Sequence, residues 1–398
     1  MRKRYKRLAF LLSVVLLLSI CFTGCQDVTE STGGDVMESG EPEGGNKEPA
    51  HTPLKLAYSY LSLKTGDVCE LAADGSGIAV YSSSRPEVAS VDENGVVTAL
   101  KKGNAVITAT AGSQTVTCGV MVDLADAYID IDGMTMTPVV RDLELTSENN
   151  VMQSFTIGAD GSIYIIQQIG EATFTGMDAL VKIAPDGTME DMALLQFGHG
   201  NQIGVDWDEE GNDLLWIPSM GNTSNTSDGV SRLAFEAGAV YQLEAGETWD
   251  RGIFASNPNV VIDMDSRRLM LCRGGVNYDI YDLDDFLADG EDTVKLCSGR
   301  LESGNGLAGT PGSMSYQGCA LYGEYIYKYE GTPDAEDPSA FYSVFDLDGN
   351  WLFSRTVEIG FLEGYHEAEG MAVWNGKIYF GAASGASTFR RANIFTYE

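Results

Sequence analysis

The sequence predicts an all-β protein: a small β-sandwich followed by a five-bladed β-propeller, exported and tied to a surface. Three observations predict it. Short runs of alternating apolar residues, broken by turn residues, fill the chain from residue 53 onward, with no helical periodicity of useful length after Leu124. The strongest apolar runs recur at a long, regular interval. The first 52 residues, in contrast, cannot build a core.

Residues 1–25 open with five Lys/Arg within seven positions and continue into an apolar run from Leu8 to Phe22, the layout of an export signal. The run is too short to span a bilayer between polar flanks. It ends in Thr23-Gly24-Cys25, which resembles the lipobox of bacterial lipoproteins. That resemblance implies cleavage before Cys25 and a lipid on its sulfur, hence attachment to the outer face of the cytoplasmic membrane. Residues 26–52 are rich in Gly, Glu, Ser and Pro and read as a disordered tether.

The formal charge of −33 becomes −38 once the five basic leader residues are set aside. Such a surface repels phosphate polymers on average, and no basic run offsets it, so nucleic acid is excluded as a partner. Cys69, Cys118, Cys272, Cys297 and Cys319 remain after the leader, with no CxxC spacing to indicate zinc.

Residues 53–124 hold six or seven short strands, with "DENG" as a tight turn and "AVITATA" and "TVTCGVMV" in strict alternation. The stretch "SSSRPEVASVDENGVVTALKKGNAVITATAG" resembles the bacterial Ig-like group 2 domain, which implies a spacer or adhesion module without catalytic residues. Cys69 and Cys118 fall in inward phase, either as a bridged pair or as two free core thiols.

Residues 125–398 carry five landmarks, at Ile163, Leu214, Leu269, Tyr325 and Lys377, spaced 51, 55, 56 and 52 apart. A period near 50 with several strands per unit is that of a propeller. The fifth unit lacks one strand at the C-terminus, and residues 128–145 are placed to supply it and close the ring. "QSFTIGADGSIYIIQ", "GHGNQIGVDW", "YQGCALYGEYIYKYEG" and "EAEGMAVWNGKIYFGAASG" resemble the helveticin-J-like family, also described as teichoic acid biosynthesis protein C-like, and are similar to five-bladed propellers of phage receptor-binding proteins of Gram-positive hosts. The resemblance implies a role in cell-envelope recognition or a bacteriocin-like one.

Polar residues gather just ahead of the inner strands, at one mouth of the central channel: Gln153 and Ser154, His199 and Gln202, Asn257 and Asn259, Gln317, and His366, Glu367 and Glu369. Gln153, His199, Gln202, Gln317, His366 and Glu369 are the candidate ligand-binding set, for a cell-envelope or host glycan. The competing reading makes them structural bridges between blades. His199, His366 and Glu369 are the candidate catalytic groups of an alternative, a glycan hydrolase or lyase, and convergence of the three is its condition. No nucleophile elbow, HExxH or phosphate loop is present. "DIDG" at 130–133 and "DLDGN" at 346–350 resemble pieces of Ca²⁺ loops but lack the glutamate of an EF-hand, and hairpin turns explain them better. Trp207, Trp216, Trp249, Trp351 and Trp374 are candidates for stacking on sugars, with Trp216 inside an apolar strand. Arg390 and Arg391 form one short basic spot, able to meet a phosphate or to pair with carboxylates.

Overall fold

A computed structural model describes residues 52–398 apart from 76, 145–150, 169–177, 196–201, 222–226, 242–252, 255–257, 333–339, 363–364 and 386–389. His199, Asn257, Trp249 and Cys25 lie outside the described residues.

The first folded part is a sandwich. One sheet orders strands Tyr60–Leu63, Gln114–Val122, Gly103–Ala111 and Val80–Ser83, and the other orders Val68–Glu70, Val96–Ala99 and Ala89–Val91. Alternation along Gly103–Ala111 sends Ala105, Ile107 and Ala109 fully inward against Val97, Ala99 and Val120. Cys118 is buried in this core and Cys69 packs partly against it, and both are free thiols.

Five sheets follow, four of four strands and one of five. Their innermost strands are Val151–Ile157, Gly204–Trp207, Pro258–Asp263, Ser315–Tyr322 and His366–Trp374. Each inner strand pairs antiparallel with the landmark strand read from the repeat, for example Ile157 with Ile163 and Trp374 with Lys377. Ring closure joins the first and last strands of the propeller segment: Met136–Glu144 pairs antiparallel with Arg391–Tyr397, from Met136 opposite Tyr397 to Glu144 opposite Arg391. The closing strand is therefore shorter than the segment 128–145. Residues 128–131 instead pack on blade four, where the Tyr327 and Tyr342 hydroxyls accept from the Ile129 and Ile131 amides at 3.0 and 3.2 Å.

Two features depart from the sequence reading. A helix, Leu283–Asp289, interrupts blade three, capped by the Asp282 side chain on the Asp285 amide and ended by Gly290 at φ 66°. At seven residues it is too short to show a periodicity. Strand order also departs from simple succession along the chain: Val240–Tyr241, after the third strand of blade two, adds in parallel to blade one, opposite Leu194 and Leu195, and the fourth strand of blade two is Ile253–Phe254.

The sandwich is docked on the propeller rather than strung beside it. Inner strands begin at an upper face and turn into second strands at a lower face, and among the described residues the sandwich meets the lower ends of blades three and four. Asn104 Nδ2 donates to the Ser266 carbonyl at 2.9 Å and to Asp282 Oδ2 at 3.0 Å. Arg85 pairs with Asp282 at 2.9 Å and Asp285 at 2.5 Å. Arg268, fully buried, donates to Asp263 at 2.8 Å, to the Gly323 carbonyl and to the Met121 sulfur. Val106, Met121 and Leu124 share one apolar cluster with Val261, Leu296, Leu321 and Phe345. Burial and Asp348 push the Tyr60 hydroxyl pKa up at the same joint. A joint this apolar and this well paired behaves as part of a core rather than as a linker.

Candidate functional site

The channel is built by the five inner strands. A central cavity of about 110 Å³ is lined by residues of every blade, among them Ile157, Val205, Ile262, Leu321 and Val373. Gln202 crosses it: its Oε1 accepts the Cys319 amide of blade four at 3.0 Å. The side chain thus satisfies an inner-strand edge N–H that no neighbouring strand can reach. Of the candidate set, Gln202 has this structural bridging role.

Toward the upper face the inner strands share an irregularity. Register shifts interrupt blade one between Met152 and Ser154, blade four between Tyr316 and Gly318, and blade five between Ala368 and Met371. The residues released from the ladder are Gln153, Gln317 and Glu369 with Gly370, so three of the six candidates occupy matching bulges. A bulge re-aims one side chain without ending the strand. Small residues make the crowding tolerable there. Gly370 has φ 78°, and a Cβ on it would lie 3.0 Å from Ser154 Cα, while one on Gly318 would lie 2.9 Å from the Met371 amide nitrogen.

The bulge residues are nearly enclosed, at 5 % exposure for Gln153, 9 % for Gln317 and 3 % for Glu369. Burial, with a contribution from Glu367, holds the Glu369 carboxyl well above the usual range, against the opposing pull of Arg390. Burial thus favours the protonated form, which donates a hydrogen bond, over the charged one. Arg390 Nη1 donates to Glu367 Oε2 at 2.8 Å, and its guanidinium lies 4.8 Å from the Tyr365 ring centre. Among the described residues, Arg390 Nε and Ser154 Oγ are buried without a hydrogen-bond partner. His366, the first residue of the same strand, is buried opposite Ser384. Asn259 sits in a regular strand opposite Cys272, without a bulge. The upper end of blade four adds a buried ion pair, Lys328 to Glu330 at 3.0 Å, whose carboxylate also accepts the Gly312 amide at 2.9 Å.

Other sequence candidates resolve structurally. Asp130 takes Arg355 in a two-pronged pair at 2.9 and 2.8 Å, and Asp346 organises a hairpin turn by accepting from the Asp348 and Asn350 amides. Among the described residues no group of three or more His, Cys, Asp or Glu is placed to hold a metal. Trp216 is core and donates to Asp206 Oδ1 at 3.1 Å. Trp374 and Tyr322 end their inner strands by lying against the next blade's hairpin glycine, Gly161 and Gly376. Arg391 turns to the Asp142 carbonyl and Glu144, away from Glu367, so the two arginines make no joint patch.

The sequence names Glu367 and Arg390 separately, the latter as able to pair with carboxylates, but does not join them to each other or to Tyr365, and it misses the Lys328–Glu330 pair. The bulges, however, leave a readable mark: a polar residue, then a small one, then an apolar strand, in Gln153-Ser154-Phe155, Gln317-Gly318-Cys319 and Glu369-Gly370-Met371.

Residues 151–389, more than half of the chain, match the phage 5-bladed beta propeller receptor binding platform domain. The chain belongs to this family. Residues 78–123 match the bacterial Ig-like domain. Among solved structures, the tail fiber of Staphylococcus aureus phage P68 aligns with a TM-score of 0.54 at 16% identity, over 68% of this chain and 54% of that one. This chain thus spans about half the length of that fiber, and the likeness shows the fold. A bacterial Ig-like domain containing GH10 xylanase from termite gut is 28% identical over 21% of this chain and 22% of its own, with a TM-score of 0.16. The β-xylosidase/α-arabinofuranosidase CoXyl43 from a compost microbial metagenome is 14% identical over 65% and 95%, with a TM-score of 0.40. Scores of that size have no bearing on function. No curated protein matches the chain.

Proposed function

We propose that this is a lipid-anchored surface protein whose propeller recognises a glycan of the cell envelope or of a host, at the upper channel mouth. The observation that carries the reading is the set of matching bulges. They free Gln153, Gln317 and Glu369 from the strand ladder at one mouth, on the face opposite the docked Ig-like module. Amides, a carboxyl shifted by burial toward its protonated form and buried unpaired donors are suited to sugar hydroxyls. Membership in a receptor-binding propeller family supports a surface-binding role.

The separation of Arg390 from Arg391, each engaged with an acidic partner, and the strongly negative chain favour an uncharged glycan over polyanionic teichoic acid. Co-sedimentation with Gram-positive cell walls, native and stripped of teichoic acid, in Ca²⁺ and in EDTA, tests the reading. Binding that survives both stripping and chelation supports an uncharged wall glycan. Binding lost on both points to metal-bridged teichoic acid, and absence of binding to walls and to a host-glycan array overturns glycan recognition. A second reading is a glycan-active enzyme: burial shifts the Glu369 carboxyl toward its protonated form, the direction a general acid needs, while His199 of the three-residue condition lies outside the described residues. Release of reducing sugars by the wild type, abolished in Glu369→Gln, is its signature.

A further inference from the structure

The joint between the sandwich and blade three encloses a cleft of about 250 Å³. Its charges balance, with Arg85, Lys102 and Arg267 facing Asp265, Asp282 and Asp284. Four of them pair with each other: Arg85 holds Asp282 at 2.9 Å, and Arg267 holds Asp284 at 2.9 Å. Lys102, from the sandwich, and Asp265, from blade three, are left over. Both are exposed, and among the described residues neither side chain has a hydrogen bond or an ion pair. Asp265 feels the charge of Lys102, yet the two stand too far apart for an ion pair of their own.

A third group gives the cleft its polarity. Asn104 lines it at 3 % exposure, and its Oδ1 is buried without a hydrogen-bond partner. Turning the amide over does not cure this. Its Nδ2 donates to the Ser266 carbonyl at 2.9 Å and to Asp282 Oδ2 at 3.0 Å, and a flip would set an oxygen against both acceptors. The partner that Oδ1 lacks is therefore an N–H or O–H of a molecule in the cleft.

We propose that this cleft binds a small apolar α-amino acid as its zwitterion. The ammonium donates to Asn104 Oδ1 and Asp265, the carboxylate meets Lys102, and the side chain rests on Val88 and Val122, which supply apolar wall. A zwitterion leaves the balance of charges unchanged, whereas a lone cation or anion would add an unpaired charge to a cleft whose other ions already hold partners. The volume lies below the range of drug-sized pockets, which fits a molecule of this size. Because the ligand touches both the sandwich and the blade, it fastens the joint, and its binding is read as stabilisation of the whole body.

The test is titration of the full chain with alanine, in either enantiomer, followed by isothermal calorimetry and by tryptophan-detected thermal unfolding, with acetate and ethylammonium as half-ligand controls. The expected result is saturable binding of alanine at a concentration on the order of millimolar or below, with each control weaker by about tenfold or more. Lys102→Met and Asp265→Asn, both changes of exposed side chains, should each weaken alanine binding by about tenfold or more while leaving the unfolding temperature without ligand unchanged. If the cleft takes only water, alanine neither titrates nor shifts unfolding, and the proposal fails. Ethylammonium binding as tightly as alanine would leave Lys102 without a role, and wild-type affinity in both variants would put the amino acid elsewhere; either result overturns the proposal.

Discussion

Gly119 offers the sharpest probe of whether the Ig-like module and the propeller are one cooperative body. It lies in the strand Gln114–Val122 and faces Leu296 at the entry to the last strand of blade three. A Cβ there would sit 2.0 Å from the Leu296 carbonyl oxygen and 2.5 Å from its carbon and Cα. Ordinary contact begins near 3.4 Å, so one backbone has to retreat by more than about 1 Å. Neither can do so freely: the Leu296 amide donates to Ile280 at 2.8 Å, and Gly119 is paired with Val106 on one side and Tyr60 on the other. Gly119→Ala should therefore cost at the upper end of overpacking, about 3 kcal/mol, and lower the unfolding temperature by about 5 °C. All five tryptophans lie beyond residue 124, so their fluorescence reports the propeller alone. A substitution in the sandwich that moves the tryptophan transition demonstrates coupling between the two. Gly112→Ala, at φ +61° with open space around it, is the control and should cost only about 1 kcal/mol of backbone strain. A tryptophan transition unchanged in Gly119→Ala refutes the docked arrangement.

Further consequences are open to measurement. Burial pushes the Asp178 carboxyl from 3.8 up to about 8, so the folded chain keeps a proton that the unfolded chain releases near pH 4. Its stabilising contribution is complete below pH 4 and is lost as pH rises to 8. Asp178→Asn should flatten the stability profile over that window by about 1.4 kcal/mol per pH unit, and an unchanged slope in urea titrations counts against it. Asp206, 1 % exposed, accepts from Trp216 and, through both oxygens, from Arg232; Asp206→Ala should cost about 3 kcal/mol, and a loss below about 1 kcal/mol in chemical denaturation contradicts the burial argument. Gln202→Ala strips the Cys319 amide of its acceptor and should cost about 1 kcal/mol without creating or abolishing ligand binding, and loss of binding there would move Gln202 from brace to contact residue.

The sequence carries the blades because every hairpin of inner and second strands must bury the same alternating faces, and the landmarks from Ile163 to Lys377 repeat that demand. Ring closure was legible from the missing fifth-blade strand, since a propeller cannot leave its last sheet edge open. The helix Leu283–Asp289 was not, because seven residues show less than two turns of period. Docking of the module was hidden for another reason: Arg85, Asn104 and Gly119 have the look of ordinary sandwich residues until their partners at Asp282, Ser266 and Leu296 come close in space. At the mouth, a place just ahead of an inner strand singles out Gln153, Gln317 and Glu369, and the pairing register puts each in a bulge. Arg390 and Glu367 each stand out in the sequence, but nothing in it pairs two residues 23 positions apart.

The most direct test of the account compares wall or glycan binding by the wild type with two variants at opposite ends of the channel. Gln153→Ala with Gln317→Ala empties two bulges of the upper mouth, and Trp207→Ala alters the lower one. The account predicts at least a tenfold loss of affinity, about 1.4 kcal/mol, for the upper variant and wild-type binding for the lower. Full binding by the upper variant, or loss confined to Trp207→Ala, would place recognition elsewhere and contradict it.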